Sequence, residues 1–202
     1  MTKIKLCGLS RQEDIEAANE LMPDYVGFVF YKKSKRYVDK EKARSLKKSL
    51  APSIKAVGVF VDEPLQFVAE LLTEKIIDIA QLHGSESEEY IKELRALTKA
   101  QIIKAILVKS EEDILRAKKC GADYVLLDDG LGGGKAFDRS LIGDFTRDYF
   151  LAGGLSTETV NGAIREFKPF AVDVSSAIET DGLKDKEKMT AFVRAVREED
   201  KA

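Results

Sequence analysis

One recurrence constrains this chain more than any other feature. About every 25 residues, a short run of apolar, β-branched and aromatic residues is followed by a segment whose apolar positions have helical spacing. The runs cover residues 4–7, 25–30, 54–60, 77–82, 101–106, 124–127, 149–151 and 171–174. Continuous apolar character, rather than alternation, is what strands buried on both faces of a parallel sheet require. The helical segments cover 11–21, 39–50, 64–74, 87–97, 110–119, 138–145, 157–167 and 185–197. Asp62-Glu63-Pro64 opens the third with a proline suited to a first turn, and Ser156-Thr157-Glu158 opens the seventh with an N-cap and an acidic first turn. Eight strand–helix pairs in order predict an α/β fold, a single (β/α)8 TIM barrel formed by one domain over residues 1–202. An open doubly wound sheet is the alternative, but eight equal units fit closure better.

Composition excludes several classes of function. The 33 Lys and Arg nearly cancel the 35 Asp and Glu, for a net charge of −2, so the chain lacks the basic footprint of a nucleic-acid binder. No apolar run approaches the roughly 18 residues of a membrane helix. Met1-Thr2-Lys3-Ile4-Lys5 leads straight into the first strand without a signal-peptide stretch. The two cysteines, Cys7 and Cys120, have no metal-ligand spacing, which suits free thiols in a reducing cytoplasm. His83 is the single histidine, which argues against a histidine-based zinc site, and with it as the only imidazole nothing here resembles a Ser–His–Asp set. Charged residues make up 34%, above the usual share, a hint of a surface rich in ion pairs.

Active sites of such barrels lie at the C-terminal ends of the strands and on the loops that follow. Gly153-Gly154 and Ser175-Ser176 follow the seventh and eighth runs, where these folds bind phosphate. Glycine lets backbone N–H groups approach an anion closely, and a following helix N-terminus adds positive potential. The plain alternative is a tight turn; the position favours a phosphorylated small molecule. A second cluster, Gly130-Leu131-Gly132-Gly133-Gly134-Lys135, lacks Walker spacing and reads as a loop or an active-site cover.

Cys7 ends the first run, either as an inert buried residue or as a thiol facing the mouth. Asp128 ends the sixth. If it faces inward, the two-residue period turns Leu126 inward as well and sends Asp129 toward the helices. A thiol and a carboxyl at one mouth would make an acid–base pair. Arg36 lies in a basic loop after the second run; such loops are usually solvated faces, but a guanidinium fork could also hold a carboxylate. Phe28 and Phe30 read as core, and Cys120 as structural.

Taken in order, these pieces resemble the phosphoribosylanthranilate isomerase family of tryptophan biosynthesis. The matching segments are Lys5-Leu6-Cys7-Gly8-Leu9, Val26-Gly27-Phe28-Val29-Phe30, Ser34-Lys35-Arg36-Tyr37, Val57-Gly58-Val59-Phe60, Gln81-Leu82-His83-Gly84, Leu126-Leu127-Asp128, Gly133-Gly134-Lys135, Ala152-Gly153-Gly154-Leu155 and Asp173-Val174-Ser175-Ser176. They span nearly the whole chain, and the family's fold is the same barrel. The resemblance implies an Amadori rearrangement of N-(5'-phosphoribosyl)anthranilate to 1-(2-carboxyphenylamino)-1-deoxyribulose 5-phosphate. Asp128 would be the general acid that opens the ribose ring, and Cys7 the base that removes the proton from the second ribose carbon. The acid needs a raised pKa, and the base needs positive potential nearby to form its thiolate.

By the same resemblance, Arg36 meets the anthranilate carboxylate, Gln81, His83 and Asp173 contact the substrate, and Gly153, Gly154, Ser175 and Ser176 hold its phosphate. The protonated Schiff base serves as the electron sink, so neither metal nor organic cofactor is expected. The expected partner is the small phosphorylated substrate, with no nucleic acid or membrane, and the chain acts as a monomer or homodimer. Departures from the family's pattern are Ala177 for glycine, Asp129 for a frequent threonine, and Ala136 and Arg139 for a common threonine and tryptophan. A sugar-phosphate epimerase would need metal-binding histidines that this chain lacks. A non-catalytic sensor would be expected to lose either Cys7 or Asp128.

Overall fold

The computed structural model describes residues 1–128, 142–143 and 145–201. Eight parallel strands close into a barrel: β1 (Lys3–Cys7), β2 (Tyr25–Val29), β3 (Lys55–Phe60), β4 (Ile79–Leu82), β5 (Gln101–Leu107), β6 (Tyr124–Asp128), β7 (Tyr149–Leu151) and β8 (Ala171–Val174). The last closes on the first, with Lys5 beside Asp173 and Leu6 beside Val174. Helices α1 (Gln12–Leu21), α2 (Lys40–Ser49), α3 (Leu65–Thr73), α4 (Glu88–Leu97) and α5 (Glu111–Lys119) follow the first five strands. Helix α6 (Val160–Phe167) follows β7, and α7 (Lys186–Glu199) closes the described chain. The helical segment expected at 138–145 and the Gly130–Gly134 cluster lie mostly or wholly outside the described residues, as do Asp129, Ala136 and Arg139.

Two apolar layers hold the barrel. Outward strand residues such as Ile4, Phe28, Phe60, Ala80, Val125 and Val172 pack against the helices. Phe28 and Phe30 belong to this layer, and Phe30 stacks on Phe60. Inward residues Tyr25, Val57, Ile79, Ile103, Leu126 and Phe150 fill the lower barrel, with Tyr124 and Phe170 packed against them. Leu126 faces inward and Leu127 outward, which gives β6 the expected parity.

Three boundaries differ from the sequence expectation. The fourth strand begins at Ile79, not at residue 77, because the backbone amides of Ile76 and Ile77 bond to Leu71 O at the end of α3. These two isoleucines therefore close a helix rather than open a strand. Helix α6 begins at Val160, because Ser156 caps only a preceding turn, its carbonyl accepting from Thr159 N and Val160 N. After β8 the chain makes a short 3-10 turn (Ser176–Ile178) and a hairpin of β9 (Glu179–Thr180) and β10 (Leu183–Lys184). Asp181 and Gly182 make its turn with φ of 53° and 80°. That two-residue positive-φ link matches a type I' hairpin, so Asp-Gly was the signal for it.

Candidate active site

The C-terminal mouth of the barrel encloses a cavity of about 520 Å³. Its wall includes Cys7, Gln81, His83, Asp128, Gly153, Gly154, Asp173, Ser175 and Ser176, which brings together nine of the ten residues singled out from the sequence. Arg36 is the exception and stands at the rim. Cys7 on β1 and Asp128 on β6 are three strands apart around the barrel, so a ligand fits between them.

Cys7 takes its place because Gly27 has no side chain: a Cβ there would meet the thiol sulfur at 2.6 Å. The thiol is buried beside Val29 and Val59. Burial pushes the Cys7 thiol up, and Asp173 adds to that, while Lys5 and Lys184 pull it back. Positive charge is near the sulfur as expected, and burial opposes it.

Gln81, 1% exposed, contacts His83 Nδ1 through its amide nitrogen at 2.8 Å. With that N–H donating, Nε2 of His83 carries the proton and faces Asp128 Oδ2 at 3.3 Å. The Gln81–His83–Asp128 chain thus fixes the carboxyl at the mouth of β6. Below it, Lys104 donates to Gly84 O at 2.7 Å and to Glu86 at 2.9 Å, and Glu86 accepts from Gly84 N at 2.9 Å, which secures the loop carrying His83.

Asp173 accepts from Lys5 Nζ at 2.8 Å through Oδ2. Burial pushes its carboxyl up and Lys5 pulls it back. Its other oxygen, Oδ1, and Gln81 Oε1 are buried acceptors with no hydrogen-bond donor among the described residues. Two unmet acceptors, on the opposed strands β4 and β8 of one cavity, are suited to a ligand that brings hydroxyl or N–H donors.

On the β7–β8 side, Gly153 and Gly154 both have left-handed backbones, with φ of 80° and 59°. The Ser175 hydroxyl donates to Cys7 O at 3.0 Å and ties β8 to β1, so its proton is committed within the protein. Ser176 beside it is exposed. Ala177 is not among the positive-φ residues, so its Cβ introduces no backbone strain.

Arg36 crosses over Gly8, where a Cβ would approach the Arg36 Cδ to 2.4 Å. The guanidinium is not free, as a solvated loop residue would be: its Nε and Nη2 donate to Glu179 at 2.5 and 2.7 Å. Lys184, its ammonium almost fully buried, donates to the same Glu179 and to Ser175 O at 2.9 Å. Burial would raise the Glu179 carboxyl, but Arg36 and Lys184 outweigh it and hold it below the usual range. The side edge of the guanidinium is therefore occupied. Of its five N–H donors, one on Nη2 and two on Nη1 remain, and they make an end-on edge for a second carboxylate.

Lys5, Glu179 and Lys184 were not identified from the sequence. Lys5 carries a readable signal, a lysine two residues before Cys7 on a strand whose neighbours are apolar. Cys120 is buried at the end of α5, as a structural residue should be. Among the described residues no cluster of three or more His, Cys, Asp or Glu could hold a metal ion, and no helix is long and apolar enough to cross a membrane.

Comparison with known proteins gives a consistent result. Residues 4–195 match the family described as N-(5'-phosphoribosyl)anthranilate (PRA) isomerase. An enzyme of that name from Clostridium acetobutylicum is 45% identical over 98% of both chains. The crystal structure of phosphoribosyl anthranilate isomerase from Thermotoga maritima superposes with a TM-score of 0.90 at 38% identity, covering 98% of this chain and 100% of that one. A structure of such an isomerase in complex with reduced 1-(o-carboxyphenylamino)-1-deoxyribulose 5-phosphate gives 0.88 at 37% identity, with the same coverage.

Proposed function

Because the chain belongs to the N-(5'-phosphoribosyl)anthranilate isomerase family, we propose that Asp128 and Cys7 divide the acid and base work of that isomerisation between them. The activity is an aldose–ketose rearrangement of N-(5'-phosphoribosyl)anthranilate. The observation that supports the assignment is the placement of the Cys7 thiol on β1 and the Asp128 carboxyl on β6, across a single cavity, with the Gly153–Gly154 and Ser175–Ser176 loops beside them.

In this reading Asp128 gives its proton to the ribose ring oxygen while the anilino nitrogen lone pair breaks the C1'–O bond. The product is an open-chain, protonated Schiff base with a free hydroxyl on C4'. Cys7, as thiolate, removes the C2' proton, and the electron pair flows into the C=N bond, leaving a neutral enaminol. Protonation at C1' and loss of the C2' hydroxyl proton give the ketone. The iminium accepts the electrons throughout, so the chemistry needs no metal or redox cofactor.

Asp173 Oδ1 and Gln81 Oε1 accept from the sugar hydroxyls, and His83 holds Asp128 in line with the ring oxygen. Backbone N–H groups of Gly153, Gly154, Ser175 and Ser176 face the phosphate. The anthranilate carboxylate takes the end-on edge of Arg36 that Glu179 leaves open. In this reading the chain works as a monomer or a homodimer, and the two free thiols support the cytoplasm as the compartment. The test is the fluorescence of freshly prepared N-(5'-phosphoribosyl)anthranilate. The purified chain should quench it catalytically, and the Cys7→Ala/Asp128→Asn double variant should not. Quenching by the double variant at the wild-type rate would refute the assignment.

A further inference from the structure

Lys5 is the group in the barrel that this mechanism leaves unused. It points into the interior from β1, is 0% exposed, and stands among the largest fully buried side chains of the molecule. The inward cluster of the lower barrel, with Tyr25 beside Lys5 in register and Val57, Ile79, Ile103 and Leu126 further round, carries no charge. Stability is a poor reason for burying a lysine there, because replacing a buried ion pair with well-packed apolar residues is often neutral or stabilising. Lys5 and Cys7 are two residues apart on one strand and share its inward face. The Lys5 ammonium bonds Asp173 at 2.8 Å, and the Cys7 thiol, one inward position further along the same strand, feels its charge.

We propose that Lys5 is a positioning residue for the base: its ammonium is divided between Asp173 and Cys7, and it holds the Cys7 thiolate as an ion pair during proton abstraction. This rests on Cys7 being the base. Burial alone would pull the Lys5 ammonium down, but Asp173 and Cys7 outweigh it, so Lys5 keeps its charge. Two acceptors thus compete for one buried cation. Asp173 determines how much of that charge the sulfur feels. The remaining charges around the pair come from other elements. Lys184 of the hairpin favours the thiolate, Arg36 at the rim interacts with it, and His83 and Asp128 act on Asp173 from the opposite wall. Lys184 and Arg36 are both engaged by Glu179, whereas among the described residues Asp173 is the carboxylate bonded to Lys5.

The proposal predicts shifts of opposite sign. The rate of Cys7 alkylation by iodoacetamide is followed against pH in a Cys120→Ser background without substrate. Lys5→Met should move the midpoint upward by about 1–3 pH units, and Asp173→Asn should move it downward. The acid limb of kcat/KM should move in the same direction in Lys5→Met, with kcat reduced about tenfold or more at neutral pH and KM little changed. If Lys5→Met fails to fold, the Lys5→Met/Asp173→Asn variant, which removes both buried charges, replaces it and should have a midpoint above that of Asp173→Asn. A midpoint that stays put or falls when Lys5 is neutralised, in either background, overturns the proposal. This readout is independent of turnover: an active Cys7→Ala would refute the base assignment while leaving the charge effect of Lys5 on the sulfur measurable.

Discussion

The two halves of the barrel interior use burial differently. The lower half is apolar: Tyr25, Val57, Ile79, Ile103, Leu126 and Phe150 fill it, with Tyr25, Tyr124 and Phe170 each in ring contact with Phe150. The upper half, one side-chain layer higher on the same strands, holds Lys5, Cys7, Gln81, Asp128 and Asp173. In the lower half the side chains carry no charge and are held by apolar and ring contacts, with the Tyr124 hydroxyl accepting from Gln101. In the upper half charge meets charge, and two oxygens, Gln81 Oε1 and Asp173 Oδ1, go without a donor among the described residues. Leaving a buried acceptor unpaired costs about 1–3 kcal/mol each. The contrast shows a scaffold whose lower layer carries stability and whose upper layer carries unmet interactions for a ligand.

Substitutions can break this division, and the largest effect should come from the upper layer. Asp128→Asn keeps the shape and the His83 contact but cannot deliver a proton, so kcat should fall by about 10²–10⁴ with the melting temperature nearly unchanged. A comparable energy is at stake below, with the opposite readout. Phe150→Ala should cost about 3–5 kcal/mol of unfolding free energy by urea titration. Its kcat should stay near wild type at temperatures where the variant is folded. If Phe150→Ala abolished turnover in the folded state, the two layers would not be separable.

At the rim the effects should be smaller. Arg36→Met removes the end-on edge offered to the substrate carboxylate, and KM should rise about 10- to 100-fold, with Arg36→Lys intermediate. Unchanged KM in Arg36→Met would place the carboxylate elsewhere. Glu179 offers the finest test. Its carboxyl is held below the usual range, so its contribution is complete above the unfolded value of about 4.3 and is lost as pH falls through the lower folded value. Glu179→Gln should therefore lower the melting temperature above about pH 5 and converge with wild type under acid. Equal gaps at both pH values would mean that charge does not hold the hairpin to Arg36.

The legible part of the molecule was what periodicity encodes. Eight apolar runs in order pointed to a closed barrel, and strand parity left one of Asp128 and Asp129 for the mouth, of which the family resemblance and the preceding Leu126-Leu127 pair picked Asp128. Strand ends then collected the cavity wall, because the fold places them there whatever the loops do. What escaped notice has no period. Glu179 and Lys184 lie on two-residue strands, too short for any pattern, although Asp181-Gly182 between them signals the turn. Lys5 reads as an interruption in an apolar run, since its meaning depends on Asp173, 168 residues away. Ile76 and Ile77 look like strand residues but terminate α3, because a bond to Leu71 O outweighs β-branched propensity. Arg36 was recognised, but Glu179, on a distant segment, was not, so the occupied edge of its fork was invisible.

The central claim is that the Cys7 sulfur takes the C2' proton. It is tested most directly by the single-turnover rate of Cys7→Ala on N-(5'-phosphoribosyl)anthranilate, measured beside its affinity for the reduced product analogue. The account predicts a rate lower by about 10²–10⁴ with analogue affinity within about threefold of wild type. A Cys7→Ala chain that turns over at the wild-type rate would contradict it.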